Sequence, residues 1–216
     1  MSVRTRVVVL AVWVALLVGS LALVLLAAAN NTQSGDRAMT QWLQEQTLPG
    51  QDLSDFVRAL TATEVVLATG TAVSLILWLR GYRWQAILLG AGLAGMAMAQ
   101  FGIKELVDRP RPDEDFVDIR ATRSSPSFPA GHVMSGTFLY GFLIYLALTL
   151  PLGRVAAVAL TIAAALVIAL VGPVNVWLGV HWPSDVLGGY VLAGIILLPL
   201  VATDLRQRCQ SPRQFP

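Results

Sequence analysis

The most regular feature of this 216-residue chain is a succession of long apolar blocks separated by short polar stretches. Each block approaches the ~20 residues that a helix needs to cross a bilayer, where a helix satisfies its own backbone hydrogen bonds. The pattern predicts an all-α membrane protein, a six-transmembrane-helix bundle that forms a single domain over residues 1–216. The predicted spans are 7–29, 60–79, 84–107, 133–150, 154–178 and 186–201.

The first apolar block also has features of a secretory signal peptide, because it follows Arg4 and Arg6 and ends in small residues. The apolar core of a signal peptide is only ~7–15 residues long, however. The length of this block therefore favours a retained transmembrane helix.

Composition agrees with the membrane class. Hydrophobic residues make up 56% of the chain and charged residues 13%, whereas soluble domains carry about a quarter charged residues. The net charge of +2 gives no reason to expect nucleic acid as a partner. The single cysteine, Cys209, excludes an internal disulfide.

The distribution of charge predicts the orientation of the bundle. By the positive-inside rule, the side rich in arginine is cytoplasmic. Both termini and the tail 203–216 are then cytoplasmic, whereas the segment 30–58 and the loop 108–131 face outward. Segment 30–58 is polar with spaced apolar residues, which suits either short amphipathic helices on the outer surface or a plain linker. The arginines on the cytoplasmic side are Arg4, Arg6, Arg80, Arg83, Arg154, Arg206, Arg208 and Arg213, and the only acid there is Asp204.

The chain has two histidines, and both lie at predicted outward ends of spans. Histidine titrates near neutral pH and therefore suits proton transfer or nucleophilic attack. Asp185 follows His181 by four residues, so that its carboxylate could hold one imidazole nitrogen and leave the other as a nucleophile; alternatively, Asp185 is only a helix cap. His132 could donate a proton to a leaving oxygen, or it is an ordinary interfacial histidine.

Two cations and a helix start lie on the same predicted face. Lys104 and Arg111 could grip phosphate oxygens, although either could also be a side chain that extends to the membrane surface. The beginning of the fourth span offers backbone N–H groups to an anion, and Gly131, after Ala130, lets a ligand approach the backbone closely. These residues predict an outward-facing phosphate site.

Together the motifs resemble those of the type 2 phosphatidic acid phosphatase (PAP2) superfamily of membrane lipid phosphatases. That family carries a lysine followed after six residues by Arg-Pro, then Pro-Ser-Gly-His, then Ser-Arg, five residues, histidine, three residues and aspartate. The six-span layout agrees, so the resemblance covers nearly the whole chain. The matching residues are Lys104, Arg111, Pro112, Pro129, Gly131, His132, His181 and Asp185.

The resemblance implies a phosphatase that acts on lipid phosphates or diphosphates without a metal or another cofactor. By analogy with the family, His181 attacks phosphorus to form a phosphohistidine and Asp185 orients it. His132 protonates the departing lipid oxygen. Lys104, Arg111 and the backbone at the start of the fourth span hold the phosphate.

Two positions depart from the family pattern. Ala130 stands where the family has serine, and Asn175 stands where it has the arginine of the third motif. Loss of a preorganised donor costs about 3–4 kcal/mol of transition-state stabilisation, although Asn175 can still donate neutral hydrogen bonds to phosphate. One hypothesis is that Arg109, Arg120 or Arg123 replaces the missing cation.

These departures also support a second function, that of a catalytically weak protein that binds or carries a phospholipid or polyprenyl phosphate. A vanadium-dependent haloperoxidase is disfavoured because those relatives are soluble, and two histidines without a third ligand make a poor metal site. Family members of this size in bacteria commonly act on undecaprenyl diphosphate, phosphatidylglycerol phosphate or phosphatidic acid. We therefore expect a multi-pass protein of the bacterial plasma membrane; no sequence pattern specifies an oligomeric state.

Overall fold

The computed structural model describes residues 3–29, 34–47, 50–121 and 124–210. Within these ranges the chain forms eight helices and no strand. The helices are α1 Val3–Ala28, α2 Ser34–Gln44, α3 Gln51–Thr61, α4 Thr63–Leu79, α5 Arg83–Val107, α6 Gly131–Thr149, α7 Arg154–Trp177 and α8 Pro183–Gln210.

Five of these helices, α1, α5, α6, α7 and α8, are long and apolar enough to cross a membrane. The predicted span 60–79 corresponds to α4, which has 17 residues. It passes the same test only together with α3, to which it is joined at a bend of 51°. The prediction of an α-helical, multi-pass membrane protein is confirmed, whereas the count of six spans and the side of the termini stay predictions.

Segment 30–58, for which the sequence left short amphipathic helices and a plain linker open, contains α2 and most of α3. Helix α2 packs against α7 and α8, and α3 packs against α6 and α7. Thr40 of α2 and Val57 of α3 are buried by these contacts, whereas Met39, Trp42 and Phe56 stay exposed. The segment is therefore a packed part of the fold.

Helix α6 lies at the centre of the molecule and makes its most extensive contacts with α7 and α8. Phe138 and Phe142 on α6 are fully buried. Gly92 of α5 allows this approach, because a Cβ atom there would lie 2.4 Å from the Phe138 ring. This packing holds α6 within the bundle, and the helix begins at Gly131, within the predicted helix-start motif.

A buried carboxylate joins three helices at the end of the bundle remote from the two histidines. Asp204 of α8 accepts hydrogen bonds from Gln85 Nε2 at 2.7 Å and Arg208 Nε at 2.6 Å, and also from the Tyr145 hydroxyl. Because its charge is paired and hydrogen-bonded, it can be buried here. Helix α8 accordingly continues past the predicted end of the last span at 201; Arg213 lies outside the described residues.

Candidate active site

The start of α6 and the start of α8 are held side by side. The Ala130 N–H donates to the Asp185 carbonyl oxygen at 3.1 Å. Gly189, one turn further along α8, leaves no room for a side chain, since a Cβ atom there would lie 2.9 Å from the Ala130 carbonyl oxygen. These contacts bring two of the three predicted motifs together.

The turn between α7 and α8 is packed against the loop 108–131. Gly179 adopts a φ of +68°, which favours glycine. A Cβ atom at this position would lie 2.2 Å from the Asp118 carbonyl oxygen, and the Arg120 N–H donates to the Leu178 carbonyl oxygen at 3.0 Å. The turn therefore places His181 directly against the loop that carries the first motif.

His181 is buried, with each ring nitrogen facing a different group. Nδ1 faces Asp185 Oδ2 at 3.8 Å, which is longer than a hydrogen bond. That oxygen already accepts from the Ser127 hydroxyl at 2.5 Å and the Trp182 N–H at 2.9 Å. Nε2 lies 3.4 Å from Arg111 Nη1. The ring nitrogen away from the carboxylate is thus the one beside a predicted phosphate-binding cation.

Asp185 combines the two roles that its sequence position left open. It lies in the first turn of α8, and its acceptance of the Trp182 N–H is a cap of that helix. The same carboxylate faces the ring of His181. A helix cap and a histidine partner are therefore compatible here.

Burial lowers the pKa of His181 to about 4, and the nearby positive charges of Arg111 and Lys104 act in the same direction. Asp185 opposes this shift by favouring the protonated ring. The imidazole is consequently neutral at pH 7 and keeps a lone pair for attack on phosphorus.

This pKa predicts the acid side of the pH–rate profile. Protonation removes the lone pair of His181, so kcat/KM for lipid hydrolysis should fall as the pH drops through about 4. Steady-state rates in detergent, measured from neutral pH downward, would check this. The phosphate group of the substrate itself titrates with a pKa of about 6. An analogue with only one ionisable oxygen on phosphorus lacks this titration and is therefore the control. An acid limb near the ordinary histidine value of ~6.5 with that analogue would contradict a buried, neutral nucleophile.

The two predicted phosphate-binding cations contact one short segment of the loop. Lys104 Nζ donates to the Pro126 carbonyl oxygen. Arg111 Nε donates to the Ser125 carbonyl oxygen at 2.7 Å, and Nη1 to the Val180 carbonyl oxygen at 2.5 Å. The first motif is thereby joined to the residues before the second motif and to the turn that carries His181.

His132 is the second residue of α6 and is half-buried. The N–H groups of a first helical turn have no intrahelical acceptor. The N–H of Ala130, which caps this helix, is bound to Asp185.

Gly131 packs tightly against α5, since a Cβ atom there would lie 2.9 Å from Gln100 Nε2. A side chain at 131 would therefore displace the end of the Gln100 side chain; phosphate binding by Ala130 and Gly131 stays a proposal.

Asn175 is fully buried in the last turns of α7. Its Nδ2 donates to the Val171 carbonyl oxygen of the same helix at 2.7 Å, and Oδ1 has no hydrogen-bond partner within the described residues. The neutral amide therefore supplies no positive charge where the family carries arginine, and phosphate binding by Nδ2 would require exchange of its bond to Val171.

Arg109 does not replace the missing cation. Its buried guanidinium donates from Nη1 to Asp185 Oδ1 at 2.5 Å and to the Ser184 hydroxyl at 2.8 Å. Nη2 donates to Asp36 Oδ2 at 3.1 Å. The hypothesis that Arg109 serves as the phosphate clamp is wrong, because carboxylates occupy both ends of its fork.

Arg120 is also engaged elsewhere. Its guanidinium carbon lies 4.1 Å from the centre of the Trp177 ring, and Nη2 donates to the Gln44 carbonyl oxygen at 3.3 Å. Stacking on an aromatic face is a favourable position for arginine. The third candidate, Arg123, lies outside the described residues.

The sequence interpretation missed three residues that hold the site together: Asp36, Ser127 and Ser184. Asp36 Oδ1 accepts the Ser184 N–H at 2.9 Å and Oδ2 accepts its hydroxyl at 2.7 Å. Ser127 is fully buried, and its hydroxyl is bound to Asp185. The one available signal was the run of serines just before the Pro-Ala-Gly-His motif.

An apolar cavity of about 860 Å³ lies between α1, α2, α7 and α8. Asp36, Arg109 and Ser184 contribute polar groups to its wall, whereas neither histidine lines it. The cavity therefore reaches the residues that hold Asp185 but not the ring of His181. Its apolar lining includes Leu23, Leu26, Trp42, Val176 and Leu187.

No group of three or more histidine, cysteine, aspartate or glutamate side chains is placed to hold a metal ion in the part of the chain that the structure describes. The ring of His181 has the Asp185 carboxylate on its Nδ1 side and the Arg111 guanidinium on its Nε2 side, where Lys104 also contributes a positive charge. The two cations on the Nε2 side suit an anionic ligand.

Comparison with known proteins shows which family this chain resembles. The chain matches the PAP2 superfamily over residues 85–208. It is 31% identical over 189 residues to phosphatidylglycerophosphatase B of Bacillus subtilis (strain 168), covering 82% of this chain and 88% of that protein. It also resembles the crystal structure of the first transmembrane PAP2-type phosphatidylglycerolphosphate phosphatase from Bacillus subtilis, with a TM-score of 0.75 and 27% identity over 90% of this chain and 96% of the other.

Proposed function

The chain belongs to the PAP2 superfamily and is a membrane phosphatase; from this premise we propose that it removes the terminal phosphate of a membrane lipid, phosphatidylglycerol phosphate first among the candidates. The observation that carries the proposal is the position of His181 Nε2, 3.4 Å from Arg111. A neutral nucleophile beside a phosphate-binding cation suits phosphoryl transfer.

In the proposed mechanism Nε2 of His181 forms a bond to phosphorus as the bond from phosphorus to the lipid oxygen breaks. Asp185 stabilises the positive charge that develops on the ring. His132 delivers a proton to the leaving oxygen. Lys104 and Arg111 exchange backbone carbonyl partners for phosphate oxygens, and water then hydrolyses the phosphohistidine.

The apolar cavity supports a lipid rather than a soluble phosphate ester. Its volume of about 860 Å³ and its apolar lining suit hydrocarbon tails. Phosphatidylglycerol phosphate is favoured because phosphatidylglycerophosphatases are among the relatives. Phosphatidic acid and undecaprenyl diphosphate present the same terminal phosphate. We place the site at the outer face of the bacterial plasma membrane, because the opposite ends of the spans carry eight arginines and only one acid, Asp204.

Phosphate release by the purified protein in detergent tests this proposal. We expect phosphatidylglycerol phosphate to be hydrolysed faster than phosphatidic acid or undecaprenyl diphosphate, with no loss of rate in the presence of a chelator. His181→Ala is the matched inactive control. Inhibition by the chelator would contradict metal-independent chemistry, and a faster reaction of another lipid would reassign the substrate.

A binding protein without turnover is the alternative that Ala130 and Asn175 support. The same preparations distinguish it, because labelled lipid would then bind equally to the wild type and to His181→Ala with no phosphate released from either. That result would replace hydrolysis by lipid binding as the function.

A further inference from the structure

A buried triad of charged residues lies next to His181: Asp36, Arg109 and Asp185. One arginine fork joins both carboxylates, at 3.1 Å to Asp36 and 2.5 Å to Asp185. The exposed fractions of the three residues are only 5%, 3% and 0%. Buried charges cost free energy unless they are paired, and a pair would already satisfy Asp185. Pairing with Asp185 alone therefore does not explain the second carboxylate.

The net charge of the triad explains why a second carboxylate, Asp36, is present. Asp185 with Arg109 alone would form a neutral pair, which would weaken the field of the carboxylate at His181. With Asp36 on the other end of the fork, the triad keeps one negative charge beside the ring. This matters because attack by Nε2 leaves a positive charge on the imidazole, and charges interact strongly in a buried site.

The other charges acting on His181 make this negative charge more important. Arg111 lies 3.4 Å from Nε2, and Lys104 also acts on the ring. Both are cations and disfavour a positive imidazole. Asp185 is the anion that faces the ring, so a neutralised Asp185 would leave the developing charge opposed by two cations.

Helix α2 holds Asp36 in place through contacts of its own. Gln44 Nε2 donates to the carbonyl oxygens of Asp118 at 2.7 Å and Trp177 at 3.0 Å. The Asp118 N–H donates back to Gln44 Oε1 at 3.0 Å. Gln41 Nε2 donates to the Phe116 carbonyl oxygen at 2.9 Å. The outer helix is thus fixed to both the loop and α7, and it brings a carboxylate to the far end of the arginine.

We propose that Asp36 and Arg109 are positioning residues for the proposed phosphohistidine reaction: Arg109 holds Asp185 in place, and Asp36 offsets the charge of Arg109 so that Asp185 still acts on His181 as an anion. This role rests on the proposed function. It also explains why an acid of the outer segment is tied to α8 although it lies remote in sequence from both histidines.

The test is a charge-compensation series: Asp36→Asn, Arg109→Gln and the double variant Asp36→Asn/Arg109→Gln. Asp36→Asn leaves the triad neutral and should lower kcat about 10- to 100-fold with little change in KM. Arg109→Gln leaves two uncompensated carboxylates and also impairs the site. The double variant regains a single negative charge, so its kcat should exceed that of Asp36→Asn. Asp52→Asn, an exposed acid of the same outer segment, is the matched control and should keep wild-type kcat.

Titration of His181 by NMR gives a second readout that does not depend on turnover. The chain has only two histidines, so His132→Ala assigns the signals. We expect the His181 pKa to fall by about one unit in Asp36→Asn, to rise in Arg109→Gln and to return near the wild-type value in the double variant. A merely structural role predicts no such alternation of sign.

The two readouts separate failure of this inference from failure of the proposed function. A wild type that hydrolyses none of the three lipids, with the alternating His181 pKa intact, would refute only the proposed function. An unchanged His181 pKa in Asp36→Asn, or a double variant that is folded and no faster than Asp36→Asn while the wild type is active, would overturn the role of the triad.

Discussion

Replacement of His181 by alanine should lower phosphate release by about 10⁴-fold or more, because the residual rate after loss of a nucleophile comes from substrate binding and electrostatics alone. Trapping with radiolabelled lipid phosphate measures the same step directly. The wild type should carry a label that is lost in acid and retained in base, as expected for a phosphohistidine. His181→Ala should carry none.

Comparison of His132→Ala with His181→Ala distinguishes the general acid from the nucleophile. A general acid contributes less when the leaving group is stable as an anion. The defect of His132→Ala should therefore be smaller on an aryl phosphate ester than on a lipid phosphate, whereas His181→Ala should be inactive on both. Equal recovery of the two variants on the aryl ester would refute these assignments, and an unchanged unfolding temperature would show that both remain folded.

Asp185→Asn should have the next largest effect, a decrease of about 10³- to 10⁴-fold in kcat with a nearly unchanged KM. The carboxylate receives Arg109 on Oδ1, and both Ser127 and the Trp182 N–H on Oδ2. An amide removes the charge that faces His181 and turns an NH₂ group toward one of these donors. Separate determination of kcat and KM on the preferred lipid would check the expectation.

Ser127→Ala is the graded control for Asp185→Asn. It removes one hydrogen bond to Oδ2 but leaves the charge of Asp185 and its contact with Arg109 in place. Hydrogen bonds to charged groups are worth about 1.5–3 kcal/mol, so its effect on kcat should be smaller than that of Asp185→Asn. A larger effect of Ser127→Ala would show that the hydroxyl itself takes part in the reaction.

The membrane class could be predicted from the sequence because what a membrane-spanning helix requires is found within one segment of the chain. A helix in a bilayer satisfies its hydrogen bonds within one segment, so that a long apolar run is sufficient evidence. The motifs were also readable, since Lys104 and Arg111 on one side and His181 and Asp185 on the other occur at short, fixed spacings. The span 60–79 is the one that the structure does not reproduce as a single long helix, because α4 has only 17 residues and is joined to α3 at a bend of 51°.

The roles of Asp36 and Arg109 could not be predicted in this way. No motif includes Asp36, and Arg109 was only one of three candidates to replace the missing cation. The structure places Asp36 against Ser184, 148 residues away, and joins it to Asp185 through Arg109. Nothing in the local sequence specifies which buried charges meet across such a separation.

The sequence by itself therefore determined the helical membrane architecture, the family and the residues that resemble a phosphohistidine site, because each depends on composition or short spacing. Only the tertiary structure decided that Arg109 binds carboxylates rather than phosphate, that Asn175 donates within its own helix, and that α2 belongs to the support of the site. Those outcomes depend on how α2, α7, α8 and the loop pack together, which sets the partner of each polar group in a buried environment where an unpaired charge is costly.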